Sequence, residues 1–330
     1  MTGFAVAFIS MLTISHAEPY SAPFGTPKVL KFFGGAKAAI SLQFDDAMTT
    51  QLANAIPRLN ERKLRATFFV NTENGQYVSH RKEWEVDVVR ARHDLGNHTA
   101  HHSGAKNEAE LTKEIEDCSY DLGRIYGKGP RLASFAIPGG CPWKVTDAQL
   151  ESVLHKNNLV LASNRNFFDE KKIDPTSFVQ RAILTGSWSN VSMHGIGGEW
   201  LSTSIPVFTK LLDYLVANRD KVWVAPDIDI YKYCQERDAL QPIHLHALSD
   251  SKFEISTSCD STKLAFGPQL YDQALTVEVK VPNSWTRFEV SRPGRLADSY
   301  SVLTTPEGRV ARFSIRPGTG AFTVGKISVG

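Results

Sequence analysis

The sequence predicts an α/β chain in two parts: a distorted, closed or nearly closed (β/α) barrel over residues 18–240, and a small all-β sandwich over 241–330. Three observations predict it. From residue 37 on, short apolar runs alternate with amphipathic helical stretches, the pattern of parallel strands with helices outside. Acidic residues and histidines follow several of those runs, where a barrel of this kind carries its chemistry. Near residue 240 the alternation gives way to short β-like segments broken by Gly, Pro, Asn and Asp.

The elements read in order as follows. Residues 18–36 are rich in Pro and Gly and form a lead-in loop. Ala38–Phe44 is a short, buried strand. Thr49–Lys63 places Leu52, Ala55, Ile56 and Leu59 at helical spacing. Arg65–Val70, β-branched and aromatic, is a second strand. Trp84–Arg92 is a helix, and Asp94–Asn97 leads into a histidine cluster. Glu108–Tyr126 is a long amphipathic helix ended by Gly127-Lys128-Gly129-Pro130. Leu132–Ile137 is a strand, Thr146–Asn157 a helix and Leu159–Ser163 a strand. Ala182–Thr185 and Asn190–His194 are read as short strands, Pro206–Asn218 as a helix, Val222–Ala225 as a strand and Asp227–Arg237 as a last helix. Beyond 240, strands are expected at Phe253–Ser256, Lys263–Phe266, Leu275–Val281, Thr286–Ser291, Ser299–Thr304, Arg309–Ile315 and Gly320–Ile327.

Composition excludes some classes. A hydrophobic share of 42% and a charged share of 22% are ordinary for a globular chain. A net charge of +2 gives no case for a nucleic-acid partner. No stretch after the N-terminus approaches the ~18 unbroken apolar residues of a membrane span. Gly3–Ile14 is apolar, and Ser15-His16-Ala17 resembles a small-x-small cleavage site. Met1–Ala17 therefore reads as a signal peptide, and the protein as secreted, periplasmic or extracellular. Four cysteines, Cys118, Cys141, Cys234 and Cys259, allow three connectivities in an exported chain. The most local is Cys118–Cys141 with Cys234–Cys259.

Two segments carry the chemistry. Gln43-Phe44-Asp45-Asp46 puts two carboxylates side by side after an apolar run. Asn97-His98-Thr99-Ala100-His101-His102 puts two imidazoles four residues apart. One carboxylate and two imidazoles make a three-ligand metal site with positions left open for water and substrate, whereas structural zinc sites are usually closed by four protein ligands. The second carboxylate is then free to act as a base.

These segments resemble the polysaccharide deacetylases of carbohydrate esterase family four, the NodB-homology family. Gln43-Phe44-Asp45-Asp46 is similar to the family's T-F-D-D, and His98-Thr99-Ala100-His101-His102 to its H-[ST]-x-x-H. Arg92-His93-Asp94-Leu95-Gly96-Asn97 resembles G-H-E-[IL]-G-N, and Arg65–Val70 the second strand. Phe135-Ala136-Ile137-Pro138-Gly139-Gly140 falls where the family has R-x-P-x-G, and Ser192-Met193-His194 where it has L-x-H. The resemblance spans roughly residues 28–240. It implies a divalent metal on Asp46, His98 and His102, with zinc expected and cobalt or another divalent ion as alternatives. It further implies Asp45 as general base, His194 as general acid, and backbone donors in Pro138-Gly139-Gly140. Trp188 and Trp200 flank His194 in sequence and are expected to stack on sugar rings; Trp143 reads at least as well as core. His101 and His93 are expected to be a loop residue and a packed structural histidine.

The family arginine of the third motif is Ala136 here, and its aromatic residue is Gly139. Arg165, after the strand Leu159–Ser163, is the first substitute expected beside Asp45; Arg131, ahead of its own strand, should lie at the opposite end. The family's fourth motif has no clear match, and Ser163-Asn164-Arg165-Asn166 occupies its region. The implied activity is release of acetate from an acetylated polysaccharide or oligosaccharide, with the N-acetyl groups of an N-acetylglucosamine-containing polymer of chitin or peptidoglycan type favoured. The alternatives are an O-acetyl xylan esterase, an inactive carbohydrate-binding relative, and a metal-dependent hydrolase of non-glycan amides.

Overall fold

Residues 23–127, 129–162, 165–292, 295 and 298–327 are described in the computed structural model. The expected signal peptide Met1–Ala17 lies outside them, as do Ser163 and Asn164. The chain enters through β1 (Lys28–Val29), which belongs to the second part. The first part is built on β2 (Ala38–Asp45), β3 (Thr67–Val70), β4 (Asp94–Asn97), β5 (Ala133–Phe135), β6 (Leu159–Leu161), β7 (Arg165–Phe167), β8 (Trp188–Met193) and β9 (Val222–Val224). All pair in parallel, in the order β6-β5-β4-β3-β2-β8-β7, with β9 against the start of β2. The sheet curls into a barrel left open between its edges. Those edges, β6 and β7, are consecutive in the order of strands along the chain.

The central strand explains the architecture. Every residue of β2 is buried, as expected when helices cover one face and the barrel interior the other. Alternation sends Ile40, Leu42 and Phe44 outward into the main apolar cluster, with Phe68, Trp84, Phe208 and Leu212. Ser41, Gln43 and Asp45 are left to face the interior. Strands β3 to β5 continue this polar lining with Thr67, Asp94 and Ser134, all buried. The lining is tight. A Cβ on Gly96 would fall 2.6 Å from the Phe69 ring, so only glycine fits there.

Outside lie α1 (Ile56–Glu61), continuing a wide helical turn from Gln51, and α2 (Gly75–Ser79), α3 (Glu108–Tyr126), α4 (Asp147–Lys156), α5 (Thr176–Thr185), α6 (Ile205–Ala217) and α7 (Asp227–Asp238). Asn107 caps α3, its side chain accepting from the Glu110 N–H, and Leu111, Ile115, Cys118 and Leu122 form the helix's buried face. The expected strand at Ala182–Thr185 is instead the last turn of α5. Thr176, Val179 and Ala182 recur at three-residue spacing on its buried side, and Gly186, at φ 61°, ends it.

The second part is a sandwich of two antiparallel sheets. Its later strands are β10 (His244–Ser249), β11 (Lys252–Ser256), β12 (Leu275–Lys280), β13 (Arg287–Ser291), β14 (Asp298–Ser301), β15 (Leu303–Thr305), β16 (Gly308–Ile315) and β17 (Phe322–Lys326). One sheet runs β1-β12-β16-β15 and the other β10-β11-β17-β13-β14. Phe253, Val277, Trp285, Phe288, Phe313 and Val324 fill the space between them. The expected strand at Lys263–Phe266 is absent, and a short 3-10 turn at Ser261–Lys263 stands at its start. His244 and His246 lie exposed, two apart on one face of β10.

The lead-in is more than a loop. Lys28 and Val29 pair with Glu278 and Val277, and the Phe24 ring packs on Phe253 and Trp285, with centroids 4.7 and 5.7 Å away. Tyr233 of α7 ties both parts together, its hydroxyl donating to Leu30 O and accepting from Thr276 N–H. All four cysteines are free. Cys118 is buried under β3 while Cys141 sits near the rim of the cavity described below, so the expected local pairing does not form. Among the described residues no helix is long and apolar enough to cross a membrane.

Truncation after residue 240 should strip Phe24 and Val29 of their cover and aggregate the remainder. Size-exclusion chromatography of the truncated chain checks this, and a folded monomer would contradict it.

Candidate functional site

The C-terminal ends of β2, β4, β7 and β8 open into a cavity of about 910 Å³. Asp45, Asp46, His98, His102 and His194 meet on its floor, and Pro138, Gly139, Gly140 and Trp200 line it. Trp188 does not reach it. It begins β8 at the other end of the barrel and packs with Phe32, Ala39 and Trp223. Trp143 packs partly buried on the cluster of Leu111, Phe135 and Leu150.

Neighbouring in sequence, Asp45 and Asp46 are held differently. Asp45 is the last residue of β2 and points inward. Its Oδ1 accepts from Arg165 Nη2 at 2.5 Å, and both side chains are almost fully buried. Asp46 leaves the strand at φ 75° and turns its carboxylate toward the histidines. Its Oδ1 lies 3.4 Å from His98 Nε2 and 3.4 Å from His102 Nε2. That oxygen is buried and has no hydrogen-bond partner. The three ligand atoms all lie within 4.8 Å of one another. A buried, unpartnered acceptor between two imidazole nitrogens is the environment a divalent cation satisfies, so these residues fit a metal.

Local backbone and neighbours impose this geometry. Ala47, Thr99 and His102 also have positive φ, at 51, 69 and 59°, each a conformation costing about 1–3 kcal/mol for a residue with a Cβ. Side chains hold them there. Asn97 Oδ1 accepts from Thr99 N–H at 2.8 Å, and Thr99 Oγ1 accepts from His102 N–H at 3.1 Å. Asn71 donates to the His98 carbonyl. Gln51 Nε2 donates to the carbonyls of Asp45 and His194, at 2.6 and 3.1 Å. His98 Nδ1 lies 2.9 Å from Ala136 O. That carbonyl only accepts, so the proton sits on Nδ1 and the Nε2 lone pair faces Asp46. The position where the family arginine is missing thus orients His98 through its backbone.

Electrostatics follow from burial and neighbours. Burial pushes the Asp46 carboxyl up, but the neighbouring imidazoles, His98 first and then His102 and His194, outweigh it and leave it below its ordinary value. Burial depresses His194 against the pull of Asp45 and Asp46, whose carboxylates each lie 3.9 Å from its Nε2. The imidazole stacks on Phe167, with centroids 5.6 Å apart. His93 is buried and kept neutral, its Nδ1 accepting from Ala66 N–H and its Nε2 bonded to Asn60. His101 is exposed and paired with Glu114.

The expected substitute cation, Arg165, reaches Asp45 and is the first residue of a strand of its own, β7, which follows β6. The Arg165 guanidinium lies between the Phe69 and Phe167 rings, 4.9 Å from each centroid. Arg131 pairs with Asp94 at the start of β4, at the far end of the barrel. Sequence reasoning missed Gln43, Gln51, Asn71, Phe167 and Asp227. For Gln43 a signal existed: an amide between apolar residues of a strand buried on both faces needs a polar partner inside.

Residues 34–159 match the family model described as polysaccharide deacetylase. A curated protein, a gellan lyase of Bacillus sp., is 24% identical over 311 residues, covering 82% of this chain. The chain spans only 12% of that protein's length. Among solved structures, the chain is similar to a family 4 carbohydrate esterase from Streptomyces lividans in complex with acetate, at 21% identity over 58% of this chain and 93% of that one, TM-score 0.44. It is also similar to the peptidoglycan deacetylase PdaC from Bacillus subtilis, at 19% identity, 61% and 94% coverage, TM-score 0.41. A family 4 pseudoenzyme from Bacillus anthracis matches at 19% identity, 58% and 65% coverage, TM-score 0.42.

Arg165→Ala should leave a buried carboxylate unpaired and lower unfolding stability by about 3–5 kcal/mol, readable in urea denaturation. It should also impair turnover more than Arg131→Ala does, since only Arg165 reaches Asp45; equal turnover of the two variants would contradict this.

Proposed function

We propose that this chain is a metal-dependent deacetylase of an acetylated glycan. The observation that carries the reading is the division of labour between two adjacent carboxylates. The Asp46 oxygen is unpartnered and faces two imidazoles, while Asp45 is held apart by Arg165. Asp46, His98 and His102 would hold the metal, zinc by preference. When bound, that ion supplies positive charge that acidifies water and stabilises an oxyanion.

The chain's own groups do the rest. Asp45 takes a proton from the attacking water. The backbone N–H groups of Gly139 and Gly140, in the loop that lines the cavity, are available to the developing oxyanion. His194 delivers a proton to the leaving nitrogen. An amine needs this more than an alcohol does, and a depressed pKa makes the imidazolium a stronger acid. Trp200, 66% exposed, and Phe167, 54% exposed, offer apolar faces at the mouth on which sugar rings can stack. They favour an extended glycan over a small cyclic amide. The preferred substrate is the N-acetyl group of an N-acetylglucosamine-containing polymer, reached by export of the chain. The cation at Asp45 removes the motive for reading the chain as an inactive binder.

The test is acetate release from chitooligosaccharides, peptidoglycan, acetylated xylan and small cyclic amides, with and without added zinc or cobalt. Acetate from none of the glycans would sink the proposal; release only from xylan would move it to the O-acetyl esters. His98→Ala, His102→Ala and Asp46→Ala should each lose the metal by elemental analysis, while His101→Ala keeps it. Asp45→Asn should retain the metal yet lose roughly a hundredfold in turnover, the scale of a lost general base. Metal loss in Asp45→Asn would instead make Asp45 a ligand.

A further inference from the structure

Beneath Asp45 a chain of buried polar groups runs through the barrel interior to the start of α7. Asp227, 1% exposed, stands there as the first residue of α7. Its Oδ1 accepts from Gln43 Nε2 at 2.8 Å and its Oδ2 from Ser134 Oγ at 2.7 Å. Its own N–H donates to Thr67 Oγ1 at 2.9 Å. The other end of the Gln43 amide faces the site. Oε1 accepts from Arg165 Nε at 2.8 Å and from Ser192 Oγ at 3.1 Å. Arg165 then reaches Asp45 Oδ1 through Nη2.

The chemistry of these groups gives the chain a direction. An ionised carboxylate only accepts, a guanidinium only donates, and a side-chain amide has one end of each kind. Turned over, Gln43 would set its oxygen against a carboxylate and its NH₂ against a guanidinium. Asp227 therefore fixes which end of Gln43 Arg165 meets. Arg165 in turn needs that acceptor, because its Nε–H lies inside the barrel, where an unmade hydrogen bond is costly.

We propose that Asp227 is a positioning residue. Acting through Gln43, it sets the orientation of the Arg165 guanidinium and with it the placement of Asp45. Its role in turnover rests on the reading of Asp45 as the base; its role in holding Arg165 does not. A merely structural Asp227, favourable at a helix N-terminus, would affect stability without singling out Arg165.

The test uses the full chain with ¹⁵N-labelled arginine at pH 8, above the value of about 6 to which burial lifts Asp227. The Arg165 Nε–H signal is assigned by its loss in Arg165→Lys. In the unsubstituted protein it should exchange slowly with solvent. Asp227→Leu should expose or shift it, and should lower kcat on an acetylated chitooligosaccharide by about 10- to 100-fold, the scale of a slightly misplaced catalytic group. KM should change by less than about threefold, since no substrate contact is removed. Asp227→Asn should rescue both readouts, because its oxygen still accepts from Gln43 while its NH₂ donates to Ser134. If Asp227→Leu does not fold, Gln43→Met carries the same expectations. An Arg165 signal unchanged in the folded Asp227→Leu or Gln43→Met variant overturns the proposal, and so does a loss that Asp227→Asn fails to rescue. A protected Arg165 signal that depends on Asp227, in a protein that releases no acetate, supports the positioning role and overturns the deacetylase reading instead.

Discussion

The buried pair between Asp45 and Arg165 is the interaction on which the site rests. A carboxylate as enclosed as Asp45 needs an opposite charge and filled hydrogen bonds to offset the cost of its burial. The interior is arranged accordingly. Barrels of this general design usually fill their centres with branched apolar side chains; this one lines its centre with Ser41, Gln43, Thr67, Ser134, Ser192 and Asp227, all buried. The three residues of β7 serve two ends at once. Arg165 holds the carboxylate, and Phe167, two residues on and on the same face, stacks on His194. A strand at the open edge of the sheet thus couples the two groups that would exchange protons with the substrate.

Backbone strain separates the two aspartates. On a regular strand Asp46 would point outward, away from Asp45, into the helix layer. The positive φ at Asp46 and Ala47 breaks the alternation and brings both carboxylates to one mouth. The same device recurs at Thr99 and His102. The side chains that hold these turns, Gln51, Asn71 and Asn97, are themselves fixed by backbone groups, so the arrangement exists before any ligand arrives.

Much of this was legible in the sequence, for identifiable reasons. Strand β2 could be read from its apolar run and α3 from its periodicity. Arg165 could be nominated because it follows a strand, and Arg131 set aside because it precedes one. Trp188 was misplaced because closeness in sequence is poor evidence of closeness in space along an extended strand. At about 3.3 Å per residue, the six steps from Trp188 to His194 span roughly 20 Å. The last turn of α5 was mistaken for a strand because four residues show no period. Asp227 could not be found at all. It resembles any acidic residue in the first turn of a helix, and its meaning comes only from where the barrel's curl carries Gln43.

The pairing of β1 with β12 sets the order in which the molecule can be completed. Lys28 meets Glu278, 250 residues later (278 − 28). On a ribosome the first strand is made long before its partner, and the loop that joins them encloses the whole barrel. Closing so long a loop is favourable only once the barrel inside it is already compact. The barrel therefore assembles with its entry segment still unattached. Phe24 stays exposed until the sandwich closes around it, which makes that aromatic a natural foothold for a chaperone during synthesis.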